Sequence, residues 1–315
     1  MNAQELLQRY AAGERDFNTT DLSGIQLREA DLSGSSLKNA ILFEADLSGA
    51  NLIDVNLNGV ILRQANLTEV CLAGAKLAGA NLSETKLIKA DLSGANLWRA
   101  VLRRSILHGA NLNRANLHEA DLTEAILTQT TLNGADLTHT NLSGANLTGA
   151  NLRWVNGAEA KLVRSQLRGA DLERANFSKA IFVEADLGRA NLSAANFSGA
   201  NLDCASLDGA NLTGANLTQA NLINAKLMLA SMRGAKLDKA ELTHSNLTEA
   251  DLSWASLRGT NLSAATLHKA VLADVDLRTA ILRGADLSDA WVDLISVSEA
   301  NLAWVTLPSG LQRPE

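Results

Sequence analysis

From Phe17 to Leu307 a large apolar residue returns at every fifth position, with one exception at Gly157. This makes 59 five-residue units, of which 51 are centred on Leu; the remaining centres are Phe17, Gly157, Phe177, Phe182, Phe197, Met232, Val292 and Val297. A period of five suits neither regular element. On an α-helix it advances roughly 140° per unit, so the Leu side chains spiral over every face. On a straight strand an odd period sends successive Leu side chains to opposite faces. The chain buries them together only by turning every five residues in one sense. Its N–H and C=O groups then pair with the coils above and below, as in a parallel β-solenoid.

The other positions of the unit agree. The residue two before the centre is Ala in 41 of the 59 units, small enough for a tight corner. The residue just before the centre is most often Asn or Asp. Of the 22 Gly, 18 sit two after a centre, as do Gly24, Gly34 and Gly49. If a β-turn runs from one centre to the next Ala, this slot is its second central residue. A type II turn needs φ > 0 there, which Gly supplies without steric cost. Pro is absent before Pro308, as expected of a chain that uses its N–H groups in ladders.

The reiterated A(D/N)LxG unit, as in Ala45-Asp46-Leu47-Ser48-Gly49, resembles that of the pentapeptide-repeat proteins over about nine tenths of the chain. The resemblance implies an all-β fold, a right-handed quadrilateral parallel β-helix with four units per coil. Neither the number four nor the hand follows from the period itself. The expected layout is an N-terminal capping helix over residues 1–14 and a β-helix of about fifteen coils over 15–307. A C-terminal cap is expected from residue 291, with a tail over 308–315. At ~4.8 Å per coil the β-helix would be on the order of 70 Å long.

Asn2 to Ala12 reads as a short amphipathic helix with Leu6, Leu7 and Tyr10 on one face and Gly13 as its stop. A solenoid needs its open end covered, because a bare coil edge invites another strand. The stretch Glu5 to Phe17 also resembles the opening of cyanobacterial pentapeptide-repeat proteins, among them a small regulator that promotes heterocyst differentiation by protein contact. At the other end Trp291, Leu294, Ile295, Trp304 and Val305 place bulk where small residues stood, consistent with the expected cap.

The net charge is −6, from 34 acids and 28 bases, which gives no nucleic-acid signal. No signal segment opens the chain, and no run of eighteen apolar residues occurs. A cytoplasmic protein, monomeric and without membrane contact, is expected. Cys71 and Cys204 are 133 residues apart, more than six coils, so they cannot pair with each other.

No catalytic, cofactor-binding or metal-binding residues are expected. The five His are scattered in outward slots; His118 and His139, near Glu119, fall one coil apart, where solvated surface residues are the simpler reading. No HExxH, paired-Cys or phosphate-loop motif is present. Outward charges are expected to stack at twenty-residue spacing, as in Glu84, Arg104 and Glu124, or Arg99 beside Glu119. The candidate protein-binding patch is Trp98, Arg99, Val101, Arg103, Arg104, Ile106 and His108 in one coil, with Ile126 stacked beyond Ile106. Aromatic, Arg and exposed aliphatic side chains together make the composition of an interface hot spot; the plainer reading is that these Arg serve only the ladders. Weaker patches are Val163, Ile181 and Val183, and Ile223, Met228 and Leu229.

The one irregularity is at Val155, Gly157 and Phe177. Gly157 leaves a hole in a Leu column, Phe177 follows it on the same wall, and Val155 enlarges a corner. Trp154 is expected to stack on Arg174. Together these features point to a non-catalytic protein-interaction module, a regulatory factor of cyanobacterial type whose partner is another protein. Two alternatives stay open. Some family members mimic DNA and act on gyrase, which calls for one continuous negative wall. A purely structural spacer would tolerate surface changes everywhere.

Overall fold

The computed structural model describes residues 1–292 and 300–308. They fall in two compact units, Met1–Asn156 and Gly157–Glu315. Within each unit the residue before a centre bridges, in parallel, the residue twenty further on: Ile41 to Ile61, Ile106 to Ile126, Lys161 to Ile181. Twenty residues are four units, so each coil has four sides separated by turns. In the first unit, side A carries Asp21, Ile41, Ile61, Asn81, Val101 and Asp121. Side B carries Gln26, Asp46, Asn66, Lys86, Ile106 and Ile126. Side C carries Asp31, Asn51, Cys71, Asp91 and Asn111, and side D carries Ser36, Asn56, Lys76, Asn96 and Asn116. The bridges are one residue wide. Among the described residues only β1 (Val271–Leu272) and β2 (Trp291–Val292), a parallel pair, are longer.

Backbone hydrogen bonding accounts for the composition of the unit. Asp46 N–H donates to Ile25 C=O at 2.9 Å, one coil back, and Leu47 N–H to Asn66 C=O at 2.8 Å, one coil on. Gly49 N–H donates to Thr68 C=O at 2.9 Å, and Ala50 N–H closes the turn on Leu47 C=O at 3.0 Å. The fifth amide, Ser48 N–H, donates to Asp46 Oδ1 at 3.0 Å. The Asn or Asp before the centre thus caps the one amide that the ladder leaves over. Asn does more, because its NH₂ group also reaches the coil before: Asn196 Nδ2 donates to Asn176 Oδ1 at 2.9 Å and Asn216 Nδ2 to Asn196 Oδ1 at 3.1 Å. Lys76 cannot cap Ala78, and there Asn58 Oδ1 accepts the Ala78 N–H at 2.9 Å from one coil away. Asn18 does the same for Lys38 and Asp208 for Met228.

The corners are of the expected kind. From Thr19 to Asp289, and again at Trp304, the second central residue of every described turn has φ between 52° and 68°. Only 18 of these positions are Gly, and the other 38 accept the left-handed conformation at a cost of about 1 kcal/mol or more each. Four ladder or turn bonds per unit hold them there.

The core of each compact unit is a column of Leu and Ala. Leu47, Ala50, Leu52 and nearly every equivalent are wholly buried. A hydroxyl in an Ala slot stays satisfied: Thr85 Oγ1 donates to Leu82 C=O at 2.6 Å and Ser105 Oγ to Leu102 C=O at 2.7 Å. In the second unit a Cβ built on Gly157 would lie 2.3 Å from Phe177 Cε1. The Phe177 ring therefore fills the space of the missing Leu. It meets Phe182 edge-on at 5.2 Å between centroids and stacks on Phe197 at 5.9 Å. In the first unit Val155 is buried in its corner slot.

Helix α1 spans Ala3–Ala11, with the Asn2 side chain accepting the Glu5 N–H at 2.9 Å. Leu6 is buried, and Tyr10 OH donates to Ser33 C=O at 3.0 Å. Leu7 does not share this face as the sequence suggests; it is exposed. Leu6 and Tyr10, four residues apart, make the contact, and Leu7, next to Leu6, is turned away from it. The Arg9 guanidinium lies 5.8 Å above the ring of Phe17, the first centre, so α1 covers the opening coil. Late in the second unit Trp291 and Trp304 are exposed and Val305 is buried. Leu294 and Ile295 of the expected cap, and the tail after Pro308, lie outside the described residues.

Candidate interaction surface

The eight residues of the sequence-based patch do not share a side. Trp98 and Arg99 form the turn between sides D and A. Val101 is in the middle of side A, and Arg103 and Arg104 form the A/B corner. Ile106 and Ile126 bridge each other in the middle of side B, and His108 stands at the corner after it. The patch runs half-way round the coil. A flat partner can meet one side and its two corners, so side A with Trp98, Arg99, Val101, Arg103 and Arg104 makes one surface. Ile106, His108 and Ile126 belong to the next.

The D/A corner is pre-organised. Trp98 is 38% exposed, and the Arg99 guanidinium lies 4.5 Å from its ring centroid, a cation–π contact. Arg99 Nε donates to Glu119 Oε2 at 2.6 Å, as the ladder spacing suggests. This bond holds the Glu119 carboxyl below the usual carboxylate range. Glu119 Oε1 lies 3.1 Å from His118 Nε2, and His118 Nδ1 is 2.5 Å from Thr138 Oγ1. The His139 ring meets His118 edge-on at 5.5 Å. Both His118 ring nitrogens are thus engaged by protein groups. Among the described residues no group of three His, Cys, Asp or Glu side chains is placed to hold a metal ion.

At the A/B corner Arg104 Nε donates to Glu124 Oε2 at 2.7 Å, which raises the Arg104 pKa further. Arg103 Nε donates to Asp121 Oδ2 at 2.5 Å. Burial pushes the Asp121 carboxyl up, but the Thr123 hydroxyl and amide and Arg103 outweigh it and leave it low. His108 Nδ1 lies 2.8 Å from Thr128 Oγ1.

Two aromatic–cation pairs escaped the sequence reading. Arg153 lies over Trp154 at 4.9 Å, and in the second unit Arg174 is 3.7 Å from Glu173. In the second unit Arg233 lies 4.4 Å over the exposed Trp254, whose Nε1 donates to Asp274 Oδ2 at 3.1 Å. Residues 1 or 21 apart become neighbours at a corner, and that spacing is the signal to search for.

Every side of both units carries both signs. Side A has Glu44, Arg63, Glu84 and Arg103; side D has Lys38, Lys76, Arg99 and Glu119. The side of the second unit that carries Lys161 also has Glu184 and Asp203. Cys71 and Cys204 are both free thiols. Among the described residues no helix is long and apolar enough to cross a membrane.

A coil of four five-residue sides with Leu inward defines the class: a four-sided parallel β-solenoid. The family model for pentapeptide repeats matches in eight copies, over residues 20–59, 45–83, 80–118, 115–153, 158–193, 190–227, 225–263 and 260–294. The chain belongs to the pentapeptide-repeat family, and membership implies a right-handed β-helix. It is similar to HetL, a pentapeptide repeat protein involved in heterocyst differentiation regulation from the cyanobacterium Nostoc sp. strain PCC 7120. That match is 32% identical over 90% of this chain and 97% of HetL, with a TM-score of 0.31. Rfr23 from the cyanobacterium Cyanothece 51142 is 31% identical over 45% of this chain and 97% of its own, with a TM-score of 0.24. QnrB1, a plasmid-mediated fluoroquinolone resistance protein, is 22% identical over 62% and 90%, with a TM-score of 0.34. No curated protein matches the chain.

Proposed function

We propose that the chain is a non-catalytic protein-interaction module that engages its partner through side A of the first unit and the Trp98 corner. The observation that carries this reading is the fixed Trp98 ring. It is partly exposed, yet held by Arg99, which Glu119 holds in turn. An aromatic anchor ordered before binding loses little conformational freedom on contact. A regulatory role of cyanobacterial type extends the reading and rests on the resemblance of residues 5–17. DNA mimicry asks for a continuous acidic side, and the presence of both signs on every side speaks against it.

The test is capture of partners on the immobilised full chain, beside a Trp98→Ala, Arg99→Gly variant. Gly suits the positive φ of position 99, so the corner keeps its shape. A partner retained by the native chain and lost by the variant is expected. The same partners bound by both at equal affinity would refute the assignment of this corner.

A further inference from the structure

The A/B corner of the first unit holds a depression of about 460 Å³, lined by Arg63, Asn81, Ser83, Glu84, Arg103 and Arg104 among others. We propose that it is a subsite for an anionic side chain, carboxylate or phosphate, presented by an acidic peptide segment of the partner. The proposal rests on the protein-binding reading above and deepens it.

Its lining comes from four successive coils, the last contributing Thr123 and Glu124. Arg63, Ser83 and Arg103 occupy the same turn position, twenty residues apart. Coils rise by ~4.8 Å, so two guanidinium-bearing positions stand roughly 10 Å apart with a short Ser between them. The guanidinium groups are incompletely used. Arg103 and Arg104 each donate only through Nε, and their Nη groups make no hydrogen bond among the described residues. Arg63 reaches Glu84 only at 3.5 Å. A guanidinium has five N–H donors, and charge-assisted bonds to carboxylate or phosphate are the strong use of them. Three guanidinium groups meet three carboxylates here, Glu84, Glu124 and Asp121, so what the depression offers an anion is unused N–H donors and not net charge.

A second observation is independent of these side chains. Ile61 and Val101 stand where Asn or Asp caps the turn amide. The backbone N–H groups of Arg63 and Arg103 therefore have no acceptor among the described residues, whereas the Ser83 N–H between them donates to Asn81 Oδ1 at 3.1 Å. Two uncapped amides flank the depression on the same column as the two Arg.

The surroundings favour a peptide over a nucleic acid. Glu84 and Glu124 at this corner would repel a continuous phosphate backbone. One anionic group between Arg63 and Arg103 meets Glu84 beside Ser83, but not the succession of carboxylates that a continuous backbone would cross. Directly before the depression Ile41 bridges Ile61, which is exposed, and Phe43 precedes Arg63 in the corner column. An apolar residue followed by acidic ones matches this order.

The experiment measures the fluorescence anisotropy of a labelled peptide of two leucines followed by four glutamates, and of its phosphoserine counterpart, with the full chain. Saturable binding is expected, weakened at least about tenfold by Arg63→Gln with Arg103→Gln. Arg164→Gln, at a ladder pair with Glu184 in the second unit, is expected to change nothing. Ser83→Arg adds charge yet fills the depression, so it is expected to abolish binding. Tighter binding to Ser83→Arg, or an equal loss in Arg164→Gln, would mean diffuse charge attraction and overturn the subsite. Equal competition by oligothymidylate overturns the peptide assignment. Partner capture that depends on Trp98 but survives Arg63→Gln with Arg103→Gln overturns the subsite while leaving the interaction module standing. Stronger binding of the phosphoserine peptide identifies phosphate as the preferred group; equal or stronger binding of the glutamate peptide identifies carboxylate.

Discussion

The ring of Phe177 stands where a side chain on Gly157 would have to go: a Cβ at Gly157 falls 2.3 Å from Phe177 Cε1. Gly157 has no positive φ, so its backbone accepts other residues and only the ring excludes them. Gly157→Leu is therefore expected to destabilise the chain by about 3 kcal/mol through overpacking. Adding Phe177→Leu should restore most of the loss, because the pair then matches a regular column. Thermal melts of the two single variants and the double variant measure the coupling. Additive losses would contradict the exchange of volume.

Capping of the fifth amide gives a second expectation. Asn66 Oδ1 accepts the Thr68 N–H at 3.2 Å and its Nδ2 donates to Asp46 at 3.1 Å. Asn66→Ala should cost about 1–2 kcal/mol. Ile126→Asn should raise the melting temperature, since it would cap Thr128, whose N–H has no acceptor among the described residues.

Acid should weaken the coils. The Ser23 hydroxyl and amide hold the Asp21 carboxyl down, the Ser33 amide and hydroxyl hold Asp31, and the Ser288 amide and hydroxyl hold Asp286. Arg278 and Arg258 hold Asp276 well below the usual range. A lowered folded-state pKa stabilises above the unfolded value, about 3.9, and the gain is lost as pH falls through the folded value. The melting temperature should be level from pH 5 to 7 as far as these groups decide it, and should fall steadily below about pH 4. A melting temperature unchanged down to pH 2 would contradict the capping role of these Asp.

Corner glycines separate strain from space. Nothing lies within 4 Å of a Cβ at Gly94, whose φ is +64°. Gly94→Ala should therefore cost only the left-handed penalty, about 1 kcal/mol. A loss several times larger would mean that something other than φ selects Gly there.

The path of the chain is legible in the sequence because each unit repeats one hydrogen-bonding problem. Leu47 must point inward, Gly49 must turn, and Asp46 must cap Ser48. The number of sides is not legible from the period, since turning every five residues sets no angle; it enters through the family resemblance and is visible in the Ile41–Ile61 bridge. The surface was harder to read. Trp98 through His108 are close in sequence, but each five residues pass a corner, so nearness along the chain separated them onto different sides. Arg63 and Arg103 are 40 residues apart and share one depression. Arg233 and Trp254 were missed for the same reason: stacking at twenty residues makes distant positions neighbours.

Photo-crosslinking tests the central claim most directly. Benzoylphenylalanine would replace Trp98 at the D/A corner or, as a control, Arg114, exposed on side C. Adducts to a discrete partner from position 98, and none of that partner from position 114, are the expected result. The same adducts from both positions, or none from position 98 while position 114 captures the partner, would contradict an interaction surface centred on Trp98.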